Sequence, residues 1–331
     1  MPEIIAEVSC NHLGDLGRAI ALIEAAKNSG ADAVKFQCWH PDRMVVDRSY
    51  NLTSGSWAGR NLYDLYKEAF TPWEWFPMLF DHAKEVGIEM FSSVFDTEAL
   101  AFLETLGCPR YKIASFEITD LPLIRAVSST GKPIIISTGM ATENEITDAL
   151  YATEVGCGDV TLLKCTSAYP ASVSSANLAT IDDLTAQRHQ VGVSDHTLGL
   201  VVPIAATVLG ATMIEKHLKL TPWDGGPDAA FSLTPREFKA MVNACRDAEA
   251  SIGKVRYGPT EEEASSLQYR RSLYACKPIG EGVEFTKDTI DVFVRSARPA
   301  QGLPPDYPLL GKRTTRSLAA GDPITSADIA G

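Results

Sequence analysis

The sequence predicts an α/β protein, a (β/α)8 TIM barrel followed by a small C-terminal β-rich domain. Three observations carry this prediction. Short apolar runs alternate with longer amphipathic stretches through the first 253 residues, polar residues gather at or just after the ends of those runs, and the composition changes after Tyr257-Gly258-Pro259-Thr260. Strands that are apolar throughout and separated by helices belong to a parallel sheet covered on both sides, and eight such units in roughly 250 residues match a closed barrel.

The eight predicted strands are Ile4–Val8, Ala33–Gln37, Glu89–Ser92, Tyr111–Ile113, Ile134–Ser137, Val160–Lys164, Val191–Ser194 and Met213–His217. A helical pattern follows each of them. The clearest, after Thr234-Pro235, sets Phe238, Met241, Val242, Cys245, Ala248 and Ile252 on one face. The uncharged run from Thr197 to Ile214 approaches the length of a membrane span, but Gly199, Pro203 and Gly210 punctuate it, so it reads as a helix followed by a buried strand. A long insertion after the second strand carries Trp57, Tyr63, Tyr66, Phe70, Trp73, Trp75 and Phe76. It reads either as a lid able to stack on a sugar or as a lid packed on itself. The boundaries fall at 1–255 for the barrel, 256–270 for a linker and 271–331 for the second domain, whose β-like runs are Ser272–Cys276 and Asp291–Val294.

The chain has 331 residues with 30 Lys plus Arg against 42 Asp plus Glu, a formal charge of -12. That balance argues against nucleic acid or an anionic membrane as a partner. Seven Cys without a Cys-x-x-Cys imply neither a disulfide framework nor a Cys-type zinc site. The N-terminal stretch carries acids at Glu3 and Glu7 and no basic segment, so no signal peptide is read and a cytoplasmic address is expected.

Chemistry is expected at the C-terminal rim of the strands, where barrel active sites are built. His196 and His217 end the seventh and eighth strands, so they could share one divalent metal or merely hydrogen-bond within the rim. Lys35, Lys112 and Lys216 come from three strands and could converge on a carboxylate or phosphate, with Ser92, Ser93, Ser115, Ser137 and Ser194 supplying hydroxyls beside them. An anion clamp is favoured over a Schiff-base nucleophile or a surface charge. Glu7 and Glu117 are candidate acid/base or sugar-hydroxyl ligands, or partners of a lysine. Asp228 and Tyr169 lie in loops, where such residues more often form turns.

Taken together, these residues resemble the sialic acid synthase family. The resemblance rests on Ala6-Glu7-Val8-x-x-Asn11-His12-x-Gly14-Asp15, Gly30-Ala31-Asp32-Ala33-Val34-Lys35-Phe36-Gln37, Tyr111-Lys112-Ile113-Ala114-Ser115, Ser137-Thr138-Gly139-Met140, Ser194-Asp195-His196-Thr197-Leu198-Gly199 and Ile214-Glu215-Lys216-His217. It extends to an antifreeze-like (SAF) domain from Arg270-Arg271-Ser272-Leu273 through Gly311-Lys312 and Ile324. Within the family, four stretches look most like the pseudaminic acid branch: Trp57 to Tyr66, Thr71 to Trp75, Ser115 to Ile118 and Gly226 to Leu233.

The resemblance implies condensation of phosphoenolpyruvate with open-chain 2,4-diacetamido-2,4,6-trideoxy-altrose to give pseudaminic acid and phosphate. It implies a divalent ion on His196 and His217, Mn2+ with Mg2+ or Co2+ as alternatives. Lys35, Ser93, Lys112, Ser115, Ser137, Ser167 and Ser194 would hold phosphoenolpyruvate, and Glu7, Gln37, Glu117, Tyr169 and Asp228 would face the sugar or its developing oxyanion. Of these, Glu7, Lys112, His196 and His217 are the expected catalytic groups. Arg298 matches an arginine that the family sends across a domain-swapped homodimer to the partner's barrel mouth. The apolar wall for a C6 methyl is expected from the Trp57-Ala58-Gly59 lid and Ala229-Ala230-Phe231. Val94, Cys38-Trp39-His40 and Ala300 depart from the family pattern near substrate. A neuraminate or legionaminate synthase, a lyase using Lys112 as a Schiff base and a non-catalytic sugar-binding protein are the competing readings.

Overall fold

The computed structural model describes residues 1–156, 158–293 and 302–330. In chain order the first unit runs β1 (Glu3–Glu7), α1 (Leu16–Asn28), β2 (Ala33–Cys38), α2 (Pro41–Met44), α3 (Leu62–Ala69), α4 (Phe76–Val86), β3 (Glu89–Val94), α5 (Thr97–Thr105) and β4 (Tyr111–Ile113). It continues with α6 (Leu121–Ser128), β5 (Ile134–Ser137), α7 (Glu143–Thr153), β6 (Val160–Cys165), α8 (Ala179–Ala186), β7 (Gln190–Asp195), α9 (Val201–Val208), β8 (Met213–His217) and α10 (Pro235–Ile252). The eight parallel strands close into a barrel in sequence order, β8 pairing back onto β1 from Glu3 beside Met213 to Glu7 beside His217.

Local chemistry starts the helices where it should. Thr142 and Glu145 form a capping box on α7, Thr234 and Glu237 form another on α10 behind Pro235, and Asp96 accepts from the amides of Glu98 and Ala99 at the start of α5. The face predicted for α10 is buried at Phe238, Met241, Val242 and Cys245, whereas Ile252 in its last turn is exposed. The run from Thr197 divides into α9 and β8, as its glycines predicted.

Register brings the polar residues to one level. Glu7 lies beside Lys35, Gln37 beside Ser93, Ser93 beside Lys112 and Ser194 beside Glu215. At the opposite end of the barrel Arg110 pairs with Glu3 and Glu89 and lies over the Phe91 ring, a plug far from the rim. The second unit, Lys254–Gly331, has its own core of Leu273, Ala275, Ile279, Phe285, Leu309, Leu318 and Ile324 and an antiparallel pair, β9 (Ser272–Ala275) with β10 (Ile290–Phe293).

One sequence expectation is corrected here. Lys216 does not converge with Lys35 and Lys112, because successive residues of a strand face opposite ways. Glu215 and His217 point into the barrel mouth, and Lys216 between them points into the helix layer. There it is fully buried, its ammonium 2.5 Å from Asp195 Oδ2 and bonded to the Thr197 carbonyl, while Asp195 Oδ1 accepts from the Thr197 amide at 2.9 Å. The pair joins β7 to β8 one residue before each histidine.

Removing one partner of a buried ion pair strands the other charge, which costs roughly 3–5 kcal/mol, whereas replacing both with apolar groups is often neutral. Lys216→Met should therefore lower the first urea transition by that amount, and the double variant Lys216→Met/Asp195→Leu should recover most of it. Equal stability of the single variant and the parent would contradict the assignment.

Candidate active site

The barrel mouth holds a cavity of about 340 Å³. Glu7, Lys35, Gln37, Ser93, Lys112, Ser115, Ser137, Tyr169, Ser194, His196, His217 and Asp228 all line it. Glu117 and Ser167 do not. Ser167 lies beside Gly139, where a Cβ would overlap Ser167 Oγ and stand 2.7 Å from Ser115 Oγ, so only glycine lets the loop after β5 approach these hydroxyls. Arg298 lies outside the described residues.

The floor is a set of two ammonium groups and two carboxylates. Lys35 Nζ lies 2.5 Å from Glu7 Oε2, donates to Ser93 Oγ at 2.9 Å and stands 3.6 Å from Glu215 Oε2. Lys112 Nζ donates to Ser137 Oγ at 2.6 Å and stands 3.9 Å from Glu215 Oε1, which accepts from Ser194 Oγ at 2.9 Å. Burial opposes all four charges, and the neighbours decide each outcome. Glu215 is held below the usual carboxylate range because Lys112 and Lys35 outweigh its burial. Burial wins at Glu7, which is pushed up even beside Lys35. Lys35 is raised against its burial by Glu215 and Glu7, whereas burial lowers Lys112, which Glu215 only partly supports.

One side of the cavity carries the histidines. Their rings lie 5.3 Å apart, and Phe231 packs edge-on against both, at 5.8 Å from His196 and 4.9 Å from His217. This corrects the expected wall. Phe231 braces the imidazoles, and neither it nor Ala229 or Ala230 lines the cavity. His196 Nδ1 donates to the Thr166 carbonyl at 3.1 Å, which in the neutral ring leaves Nε2 as the lone-pair nitrogen. Burial, then the charges of His196 and the lysines, keep His217 far below the usual imidazole range. Its buried Nδ1 has no hydrogen bond and faces Asp228 Oδ2 at 3.5 Å.

These donors fit a divalent cation. They are adjacent imidazoles, His196 held through Nδ1 by a backbone carbonyl and raised in proton affinity by Cys165 against its burial, and His217 unsatisfied at Nδ1 beside a carboxylate, so an arriving cation would displace any proton on His196. Among the described residues no group of three or more His, Cys, Asp or Glu is arranged to hold a metal ion, so the fit rests on the two imidazoles and the carboxylate beside them.

The apolar wall comes from the excursion between β2 and β3, through Leu52, Trp57, Leu62, Leu65 and Tyr66. Trp57 Nε1 donates to the Pro227 carbonyl at 3.0 Å and its ring lies 5.3 Å from Tyr169. The aromatic insertion divides between the cavity and the protein's own packing. Trp57 and Tyr66 face the cavity, whereas Trp73 stacks on Phe102 and Phe76 enters the helix layer. Of the departures from the family pattern, Trp39 lines the cavity and Val94 is buried in the core.

Among the other lining residues, Ser9, Cys10, Cys165 and Glu215 carry polar or ionisable side chains that were given no role from the sequence. Glu215 was recoverable, since it shares the inward face with His217. Burial would raise the Cys165 thiol, but the hydrogen bond and charge of His196, with Ser115 and Lys112, together outweigh it and bring the thiol down to about 7.

A family model described as the NeuB family matches residues 22–257, and one described as the SAF domain matches residues 270–330. The pseudaminic acid synthase of Helicobacter pylori is 41% identical over 99% of this chain and 98% of its own length. The N,N'-diacetyllegionaminic acid synthase of Legionella pneumophila is 36% identical over 96% and 92%. Among solved structures, the N-acetylneuraminic acid synthetase of Leptospira borgpetersenii, in complex with citrate, superposes with a TM-score of 0.72 at 30% identity, covering 82% of this chain and 92% of that one.

Glu117 yields a pH prediction. Burial pushes its carboxyl up to about 7, against the pull of Lys112 and with a small push from Asp120, and Tyr66 is the other titratable group in its field. A carboxyl raised in the folded state binds more protons there than when unfolded, so stability falls as pH rises from about 4.5 to about 7. Glu117→Gln should match the parent at pH 4 and exceed it at pH 8 by roughly 2–3 kcal/mol. Urea unfolding at both pH values checks this, and a gap that is absent at pH 8 or present at pH 4 would refute it.

Proposed function

We propose a function from one premise: the chain belongs to the NeuB family. It is a pseudaminic acid synthase, condensing phosphoenolpyruvate with 2,4-diacetamido-2,4,6-trideoxy-altrose and water to give pseudaminic acid and phosphate. The observation that carries this is the near end-to-end match to the Helicobacter pylori enzyme, and the cavity supplies chemistry that suits it.

The Lys35 and Lys112 ammonium groups, with the hydroxyls of Ser93, Ser115, Ser137 and Ser194, hold the phosphate and carboxylate of phosphoenolpyruvate, and Ser167 supports the phosphate from beside Gly139. His196 and His217 hold a divalent ion, Mn2+ in our reading with Mg2+ or Co2+ as alternatives, which when bound polarises the sugar aldehyde as a Lewis acid. Gln37, Tyr169 and Asp228 orient the sugar from the cavity wall, with Glu117 behind it. C3 of phosphoenolpyruvate forms the new bond to the aldehyde carbon, and the aldehyde oxygen takes a proton from the Glu7 carboxyl, a role that its raised proton affinity on the cavity floor supports. Water then adds at C2 and the C2–O bond breaks, releasing phosphate onto the lysine and serine donors. A Schiff base on Lys112 is not needed, because its ammonium is engaged by Ser137 beside Glu215.

The wall of Leu52, Trp57, Leu62 and Leu65 suits a C6 methyl better than a hydroxyl. A methyl-sized difference in an apolar pocket is worth about 10- to 200-fold. With phosphoenolpyruvate and Mn2+, kcat/KM for the 6-deoxy diacetamido sugar should exceed that for N-acetylmannosamine by this margin, and exhaustive chelation should abolish turnover. Equal constants for the two sugars would return the chain to the neuraminate reading, and full activity after chelation would remove the metal.

We also propose a cytoplasmic, domain-swapped homodimer in which Arg298 of each chain serves the barrel of the other. The near-neutral second domain beside an acidic barrel supports it, and among the described residues no helix is long and apolar enough to cross a membrane. Arg298→Ala and His217→Ala chains, each inactive alone, should regain activity when co-folded, in proportion to the mixed dimers formed. No recovery sinks the exchange.

A further inference from the structure

Ser9 lies just past β1 in the left-handed backbone region, at φ +46°. Five non-glycine residues among those described have a positive φ, and the other four, Leu13, Met140, Asn177 and Arg188, are exposed. Ser9 is buried and lines the cavity. A β-carbon in this region costs of order 1–2 kcal/mol, and such strain persists only where the surroundings impose it. The turn is indeed fixed on both sides. The Asn11 amide donates to the Val8 carbonyl at 3.0 Å, and Asn11 Nδ2 donates to the Leu218 carbonyl at 2.8 Å and to Ser232 Oγ at 2.9 Å. Glycine would take the same conformation without strain.

What the serine adds is a hydroxyl at the junction of two polar chains. Ser9 Oγ donates to Asp228 Oδ2 at 2.6 Å and accepts from Gln37 Nε2 at 3.1 Å, and Gln37 Nε2 also donates to Glu7 Oε1 at 2.6 Å. Asp228 Oδ2 is the oxygen that faces the unsatisfied His217 Nδ1 at 3.5 Å. The carboxylate is buried, and besides Ser9 only the Cys10 side chain gives it a hydrogen bond that lowers its proton affinity.

We propose that Ser9 is a positioning residue, which accepts a strained backbone in order to hold the Asp228 carboxylate against His217 and to tie it through Gln37 to the Glu7 carboxyl. The inference rests on the synthase reading for its kinetic consequence and on the protein's own residues for its metal consequence. A carboxylate beside a metal-ligating histidine orients the ring, and losing such a partner typically costs 10- to 100-fold in metal affinity or activity.

The test uses the full-length chain, stripped of metal, as parent, Ser9→Gly, Asp228→Asn and the double variant. Ser9→Gly relieves the backbone strain and gives up two side-chain hydrogen bonds, opposing effects of similar size, so it should melt close to the parent temperature, which separates its effects from misfolding. Mn2+ titration followed by electron paramagnetic resonance should show affinity about tenfold or more weaker in Ser9→Gly, a similar loss in Asp228→Asn and no further loss in the double variant. In steady state, kcat/KM for the sugar should fall by a comparable factor while KM for phosphoenolpyruvate stays at the parent value. Parental Mn2+ affinity in Ser9→Gly, additive losses in the double variant, or a parent that takes up no Mn2+ would each overturn the proposal. A parent that binds Mn2+ yet makes no product from the diacetamido sugar defeats the synthase reading alone, and the metal titration still decides the role of Ser9.

Discussion

Four charges that water would otherwise separate share the floor of the barrel mouth, and the site depends on how they neutralise one another. Lys35 is over-supplied, with Glu7 at 2.5 Å and Glu215 at 3.6 Å. Lys112 has one carboxylate at 3.9 Å and a serine hydroxyl. The opposite shifts of the two lysines follow from this asymmetry, Lys35 upward and Lys112 downward. Lys112 is thus the cation with unspent attraction, and an incoming phosphate or carboxylate gains most there. Because Glu7 and Glu215 already balance the lysines, an added anion leaves the cavity short of positive charge, which a divalent ion beside the histidines would supply.

The alternation of side chains along the strands makes this concentration of charge compatible with a stable barrel. On β8 the inward residues Glu215 and His217 belong to the site, and Lys216 between them closes a separate ion pair in the helix layer with Asp195, itself next to His196. Each functional histidine is therefore preceded by a buried charge whose partner sits on the neighbouring strand. Phe231 packs against both imidazoles from the side, and the outward pair ties together the strand ends that precede them, so their spacing does not rely on the cavity contents alone.

The barrel was legible because its signal is repeated. Eight apolar runs with polar ends leave little freedom: β4, β5 and β8 coincide with the reading, β1 lies one residue earlier, and the others extend by one or two residues as ladders run past the apolar segment. The residues gathered in the cavity were legible for the same reason, since strand ends face a common centre. Lys216 was misplaced by treating every residue at a strand end as inward, although period two separates it from Glu215. Phe231 and Ser9 lay beyond the pattern. A loop phenylalanine carries no mark of whether it meets substrate or braces a ligand, and a left-handed serine is written in the sequence as any other serine.

The chain also separates reaction from recognition. Groups suited to phosphoenolpyruvate and metal stand on β2 to β8 or within two residues of their ends, close to where barrel hydrogen bonding fixes the backbone, whereas much of the apolar wall comes from residues 52–66 between β2 and β3. Loops tolerate change better than barrel strands, so this wall can vary while the lysines and histidines stay in place. The separation is incomplete at one point. Trp57 donates to the carbonyl of Pro227, whose neighbour Asp228 faces His217 and whose loop carries Phe231. The contact that seats the wall therefore falls on the segment that braces the histidines, and a change of wall that moves Trp57 reaches His217 through two residues of backbone.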